Sequence, residues 1–218
     1  LHSVSLRLSS LIASLLPKSD HRVDGETARK RLGSAGRVTP GVEIFIADQD
    51  GNELPLGEIG EIRIRCGALA KGYYRNPEQT AAEFVDGAWR SGDLGYFDEG
   101  GYLFIVDRLK DMIISGGFNV YAVEVEAALA SHPAVLMSAV VGVPHEEWGE
   151  AVHAEVVLRP GANVAPEDLM EHARQRLGGY KAPKSLEFVR DLPLSPVGKV
   201  LRREVRDRYW AGQTRNVN

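Results

Sequence analysis

Between Val135 and Val143 the chain reads Val-Leu-Met-Ser-Ala-Val-Val-Gly-Val, a nearly continuous apolar run. Such a run predicts a strand buried on both faces, because a strand with one buried face needs apolar residues only at alternate positions. The neighbouring segments offer the cover. Ala122, Val125 and Leu129 recur at helical spacing, and Pro133 stops that helix. Val152, Ala154, Val156 and Leu158 alternate, predicting a second strand. Pro166 opens a helix with Leu169, Ala173 and Leu177 on one side, and Gly178-Gly179 end it. Leu186 to Val189 reads as a third short strand. In a last helix Leu201, Val205 and Tyr209 share one face, while Arg202, Arg203, Arg206 and Arg208 cover the rest. The order helix, strand, strand, helix, strand, helix predicts a three-stranded sheet packed by helices.

From Gly33 to Asp107 the pattern is strands and turns. Val42 to Ile46 alternates, Asp50-Gly51 supplies turn chemistry, and Glu61 to Arg65 alternates again. Asn76-Pro77-Glu78-Gln79 reads as a cap, a first-turn proline and a reciprocal glutamine, opening a short helix through Phe84. Leu94 to Phe97 and Tyr102 to Val106 form a hairpin closed by Asp98-Glu99-Gly100-Gly101. This half predicts a small β-barrel-like subdomain, so the whole chain reads as α+β. The boundary falls near Asp107 to Asp111, a short charged segment that suits a defined pivot better than a floppy tether.

The length of 218 residues accommodates one large or two small domains. A hydrophobic content of 44% and a charged content of 26% are those of an ordinary globular protein. A net charge of -4 gives no reason to expect nucleic-acid binding. No apolar run is long enough to cross a bilayer as a helix. The single cysteine, Cys66, rules out an internal disulfide framework and fits a reducing, cytoplasmic setting; its alternating surroundings make it a small core residue. The six histidines form no metal-ligand pattern, and no nucleophile–base set is visible. Leu1 to Ser19, Leu/Ser-rich and without an acidic residue, reads as the tail of a larger domain rather than a targeting sequence.

Four short motifs carry chemistry. Lys199 closes the turn-prone Leu194-Ser195-Pro196-Val197-Gly198-Lys199 before the last helix. A lysine presented there can project away from its own domain, as a cation must if it is to hold a phosphate and a carboxylate together; taken alone it is equally a solvated lysine opening a basic helix. Asp93, in Ser91-Gly92-Asp93-Leu94, sits on a tight turn where a carboxylate can accept both hydroxyls of a ribose diol, or simply bond its own backbone. Arg108 and Lys110, in Asp107-Arg108-Leu109-Lys110-Asp111, are by themselves an arginine paired to Asp107 or Asp111 and a surface lysine. Ser115-Gly116-Gly117-Phe118-Asn119 places paired glycines after an apolar strand end, which permits positive φ and close approach of backbone to a ligand, or only a turn.

In this order and spacing the motifs resemble the C-terminal portion of AMP-forming acyl-CoA synthetases, the family that includes luciferases and the adenylation domains of peptide synthetases. The likeness runs from about Gly33 to Tyr209 and includes Gly57-Glu58-Ile59-Gly60-Glu61, Lys71-Gly72-Tyr73-Tyr74, Trp148-Gly149-Glu150 and Gly179-Tyr180-Lys181-Ala182-Pro183. The resemblance implies an ATP-dependent ligase that adenylates a fatty or aryl carboxylic acid and passes the acyl group to CoA, with Mg²⁺ as companion of ATP. It assigns catalysis to Lys199, ribose binding to Asp93 and Arg108, a hinge to Lys110, and the CoA passage to Ser115, Gly116, Gly117 and Phe118. It also implies that residues 1–107 are the remnant of a large N-terminal domain and residues 108–218 a small mobile C-terminal domain.

Two family elements are missing from the sequence. There is no Ser/Thr/Gly-rich loop ending in Lys for the β- and γ-phosphates, and no Tyr-Gly-x-Thr-Glu segment, although Leu8-Ser9-Ser10 lies where its remains would be. The chain alone is therefore expected to be inactive. Two alternatives stand beside the CoA ligase: a non-catalytic truncated or regulatory fragment, and an adenylation domain serving a carrier protein. A homodimer is compatible with the sequence but not required by it.

Overall fold

The computed structural model describes residues 3–5 and 12–212; Leu8-Ser9-Ser10 lies outside them. The chain divides into two compact units, Leu1–Leu109 and Lys110–Asn218.

The N-terminal unit is built almost wholly from antiparallel pairs. Strands β1 (Ser3–Ser5), β2 (Ile12–Leu15) and, after helix α1 (Glu26–Leu32), β3 (Arg37–Val38) form a three-stranded sheet. A second sheet contains β4 (Val42–Ala47), β5 (Gly60–Cys66), β6 (Phe84–Val85), β7 (Ala88–Phe97) and β8 (Leu103–Arg108), with helix α2 (Pro77–Glu83) inserted before β6. Ile62 and Ile64 of β5 turn inward to a core with Ile46, Trp89 and Leu103, while the alternating Glu61 and Arg63 are buried as well. Cys66, expected in the core, sits half-exposed at the end of β5. The cap of α2 forms as read, with the Asn76 side chain accepting from the Gln79 backbone N–H at 3.1 Å. The Gln79 side chain reciprocates by accepting from the Asn76 side-chain Nδ2 at 3.0 Å.

A closed barrel is not formed among the described residues. The strand path runs β4-β5-β7-β6, with β8 also on β7, and no ladder among the described residues returns to β4. The free edge of β7 is divided: its first residues pair with the two-residue β6 and its last with β8. Neither neighbour spans the full edge, and beyond β8 the row continues, among the described residues, only through the single Gly36–Leu103 bridge just before β3. At the break in the β7–β8 ladder sits Gly95, where a Cβ would stand 2.5 Å from the Phe104 carbonyl oxygen.

The C-terminal unit has five strands rather than three. The three expected ones are β11 (Val135–His145), β12 (Gly149–Leu158) and β13 (Ser185–Phe188). The other two, β9 (Ile113–Ser115) and β10 (Phe118–Val120), make a small hairpin around the paired glycines and join the sheet where Ser115 meets Gly149. Three-residue strands are too short to register as alternation. The central β12 forms a long antiparallel ladder with β11 at the end of the sheet, while β13 runs parallel to β12. Helices α3 (Ala122–Ala130) and α4 (Pro166–Leu177) cover one face, burying Val125, Leu129, Leu169 and Ala173 against Val140, Val152, Ala154 and Val156. Helix α5 (Arg202–Tyr209) covers the other, placing Val205 against Ala139 and Val141. The apolar run is thus covered on both sides.

Candidate active site

In the N-terminal unit Asp93 and Arg108 stand directly opposite each other on β7 and β8. Gly92 at φ 70 turns the chain, and the Ser91 hydroxyl accepts from the Asp93 N–H at 3.0 Å, which fixes the start of the Asp93 side chain. The Arg108 Nε lies 3.6 Å from the Asp93 carboxylate, and both groups reach solvent. Asp107, buried beside them, turns back to accept from the Arg108 backbone N–H at 2.9 Å. Arg108 is therefore matched to Asp93, not left to Asp107 or Asp111 alone. A carboxylate next to a guanidinium offers acceptors and donors side by side, the set that a vicinal diol requires.

In the C-terminal unit Lys199 closes a tight turn between Leu194 and Val200, which bridge each other. The Ser195 N–H donates to the Lys199 carbonyl at 2.8 Å, and the Ser195 hydroxyl accepts from the Lys199 N–H at 3.1 Å. Lys199 is exposed, and no ion pair binds its ammonium among the described residues. The Leu201 N–H donates to the Pro193 carbonyl at 2.9 Å, so the turn leads straight into α5. Two polar clusters hold that helix. At its start Arg202 grips Glu126 through Nε and NH2 at 2.8 and 2.6 Å. At its end the Tyr209 hydroxyl lies 3.0 Å from Glu155 and 2.9 Å from His153 Nε2, and His153 Nδ1 lies 2.7 Å from the Ser185 hydroxyl. Burial pushes the His153 pKa down, against the pull of Glu155 and Glu187. Burial and the Glu155 contact push Tyr209 well above the usual phenol range. Sequence reasoning named neither cluster; their partners lie far apart along the chain, where periodicity is silent.

Lys110, in a single 3₁₀ turn between the last strand of one unit and β9 of the next, contributes its carbonyl, which accepts from Arg206 at 2.9 Å. The glycine motif occupies the β9–β10 hairpin, with Ser115 paired to Phe118. Gly116 and Gly117 take φ values of 59 and 82, the consecutive positive values that a two-residue hairpin of this hand demands. The Gly116 N–H donates to the Trp148 carbonyl at 3.0 Å, and a Cβ on Gly116 would approach the Trp148 ring at 3.8 Å. Trp148 stacks on His145 at 4.3 Å, and the exposed Phe118 leans on Tyr180 at 5.2 Å. Ser115 is buried, so the ledge consists of two bare glycines between aromatic walls. The structure thus joins Asp93 with Arg108, and Ser115 with Gly116, Gly117 and Phe118. Lys199 lies on a different segment, the connection that leads into α5. No three His, Cys, Asp or Glu side chains gather as a metal cage among the described residues. No helix there is long and apolar enough to cross a membrane.

Comparison with known proteins shows the family of the chain. The AMP-binding enzyme C-terminal domain family matches residues 124–199, and the AMP-binding enzyme family matches residues 10–74. A fatty acid–[acyl-carrier-protein] ligase, ScoC of Streptomyces coeruleorubidus, is 43% identical over 94% of the chain and 39% of its own length. A medium/long-chain fatty acid–CoA ligase of Mycobacterium tuberculosis, FadD8, is 41% identical over 95% of the chain and 36% of its own length. The solved structure of the amide bond synthetase McbA from Marinactinospora thermotolerans superposes with a TM-score of 0.75 at 44% identity, over 83% of this chain and 37% of that one. The chain spans under two fifths of the length of these curated relatives. With both family matches and relatives of this identity along nearly its whole length, the chain belongs to the family of AMP-forming acyl-CoA synthetases and related adenylate-forming ligases.

Proposed function

We infer that this chain is the C-terminal part of an AMP-forming acid–thiol ligase. The observation that carries the reading is Lys199: an exposed ammonium on a tightly closed turn, at the last residue of the stretch matching the AMP-binding C-terminal domain. In the first half-reaction a fatty or aryl carboxylate attacks the α-phosphorus of ATP and pyrophosphate leaves, giving the acyl-adenylate. Lys199 draws the two anions together and stabilises the charge that builds on the α-phosphate. Asp93 accepts the ribose hydroxyls and Arg108 donates to them. Mg²⁺ travels with the ATP phosphates. In the second half-reaction the C-terminal unit pivots at Lys110 and withdraws Lys199. The Gly116-Gly117 ledge then borders the path of the pantetheine arm, whose thiolate attacks the acyl carbonyl and expels AMP. Two half-reactions served by different parts of one small unit avoid building both sites at once.

CoA is the acceptor favoured here. A carrier-protein phosphopantetheine is the second reading, on the likeness to ScoC, whose name records an acyl-carrier-protein substrate. Both acceptors present the same thiol arm to the ledge.

The test uses the full-length protein with Lys199→Ala, assayed separately for pyrophosphate release and for thioester formation from preformed acyl-adenylate. Adenylation is expected to fall about a thousandfold, the range seen when one preorganised charge is removed from a transition state. Thioester formation is expected to stay within a few-fold of wild type. Equal loss in both half-reactions would refute the two-part mechanism.

A further inference from the structure

Arg202 and Arg206, one turn apart on α5, both point to Asp111, with guanidinium nitrogens 3.7 Å from opposite carboxylate oxygens. Arg206 NH1 also donates to the Lys110 carbonyl at 2.9 Å. The cluster is largely shielded: the Arg206 and Asp111 side chains are 16% and 13% exposed. The Lys110 carbonyl and the Asp111 N–H share one rigid peptide plane, so a bond that holds the carbonyl holds the whole plane. On its other side Arg202 grips Glu126 of α3, and the turn bearing Lys199 enters α5 directly.

We propose that Arg206, backed by Asp111 and Arg202, is a positioning residue that locks the 110–111 peptide plane to the helix behind Lys199. The backbone rotation of a domain swing is then confined to the φ and ψ of Lys110 and to the residues before it. Lys199, α5 and Asp111 move as one lever, and the swing delivers the ammonium to a fixed place instead of a range of places. The role in catalysis rests on the ligase reading above; the locked plane does not.

The two parts are separable by experiment. In this chain alone, ¹⁵N relaxation reads the order parameter of the Asp111 amide, which lies in the plane at issue. It is expected near the rigid value of about 0.85 in wild type and below about 0.6 in Arg206→Gln. Arg206→Lys, which keeps a charged donor for the carbonyl, is expected to restore rigidity, a rescue that a merely space-filling role does not predict. If Arg206→Gln fails to fold, Asp111→Asn takes its place: it removes the ion pairs that aim the Arg206 guanidinium at the Lys110 carbonyl and is expected to lower the order parameter of the residue-111 amide part of the way, and a value unchanged from wild type overturns the backing role. An Asp111 amide as rigid in Arg206→Gln as in wild type, or one loosened equally by Arg206→Lys, overturns the lock. In the full-length enzyme Arg206→Gln is expected to lower the adenylation kcat about tenfold with KM for ATP unchanged, since bound ATP is still held but Lys199 arrives less often in register. A change in KM alone overturns the positioning role. Absence of adenylation by the wild-type full-length protein removes the ligase reading and the positioning role with it, whatever the relaxation data say of the plane.

Discussion

The two faces of the C-terminal sheet are covered in different ways. The α3/α4 face is dry: Val125, Leu129, Val152, Val156, Leu169 and Ala173 are all fully buried. The α5 face keeps a small apolar centre of Ala139, Val141 and Val205, flanked by charged and hydrogen-bonded groups at both ends of the helix. Apolar packing is non-directional and tolerates small shifts, whereas bidentate and charge-assisted bonds fix distance and angle. One face supplies stability; the other fixes where a helix sits. The helix so fixed is the one that follows Lys199.

The comparison is open to attack, beginning with the dry face. Leu129→Ala should cost about 3 kcal/mol, transfer and cavity together, measured by denaturant unfolding of the chain. On the α5 face Tyr209→Phe should cost about 1.5 kcal/mol, since it removes the hydroxyl's bond to Glu155 and its contact with His153 Nε2 while Glu155 retains Arg208 at 3.2 Å. If the tyrosine change proves the larger, the division between the faces collapses.

His153 sharpens the contrast through pH. Its folded pKa is lowered by burial, so the unfolded chain binds more protons below about pH 6.5. That stability is complete above the unfolded pKa and declines as pH falls through it towards the folded value. His153→Gln should flatten the fall in melting temperature below about pH 6.5 relative to wild type. An unchanged slope would show that the imidazole is not held neutral. The smallest effect belongs to the N-terminal unit, where Arg65 pairs with Glu43 at 3.0 Å in open solvent. Arg65→Ala should change stability by under about 0.5 kcal/mol, and a cost near that of Tyr209→Phe would mean that surface pairs in this protein behave like shielded ones.

How much of this was readable beforehand depends on distance along the chain. The α2 cap needed only Asn76 and Gln79, and it formed. The Val152, Ala154, Val156 alternation and the Leu169, Ala173 spacing placed those side chains in the core correctly, with Leu177 partly buried against it. The β9–β10 hairpin escaped notice because three-residue strands carry no period, although its glycines were singled out. Whether the strands close could not be read, because strand patterns do not say which edges meet, and β7 gives its second edge to two partners.

Residue order alone determined the succession of strands and helices, the buried stripes and the turn chemistry around Gly92, Gly116 and Lys199, because these depend on neighbours within a few positions and on the periods of helix and strand. Tertiary structure decided the rest: that Arg108 faces Asp93, that Tyr209 meets His153 and Glu155, and that Arg202 reaches Glu126 across a sequence separation of 76. Such pairs carry no local signature. They exist only once packing has brought distant segments together and removed enough water for a specific bond to outweigh the entropy of forming it.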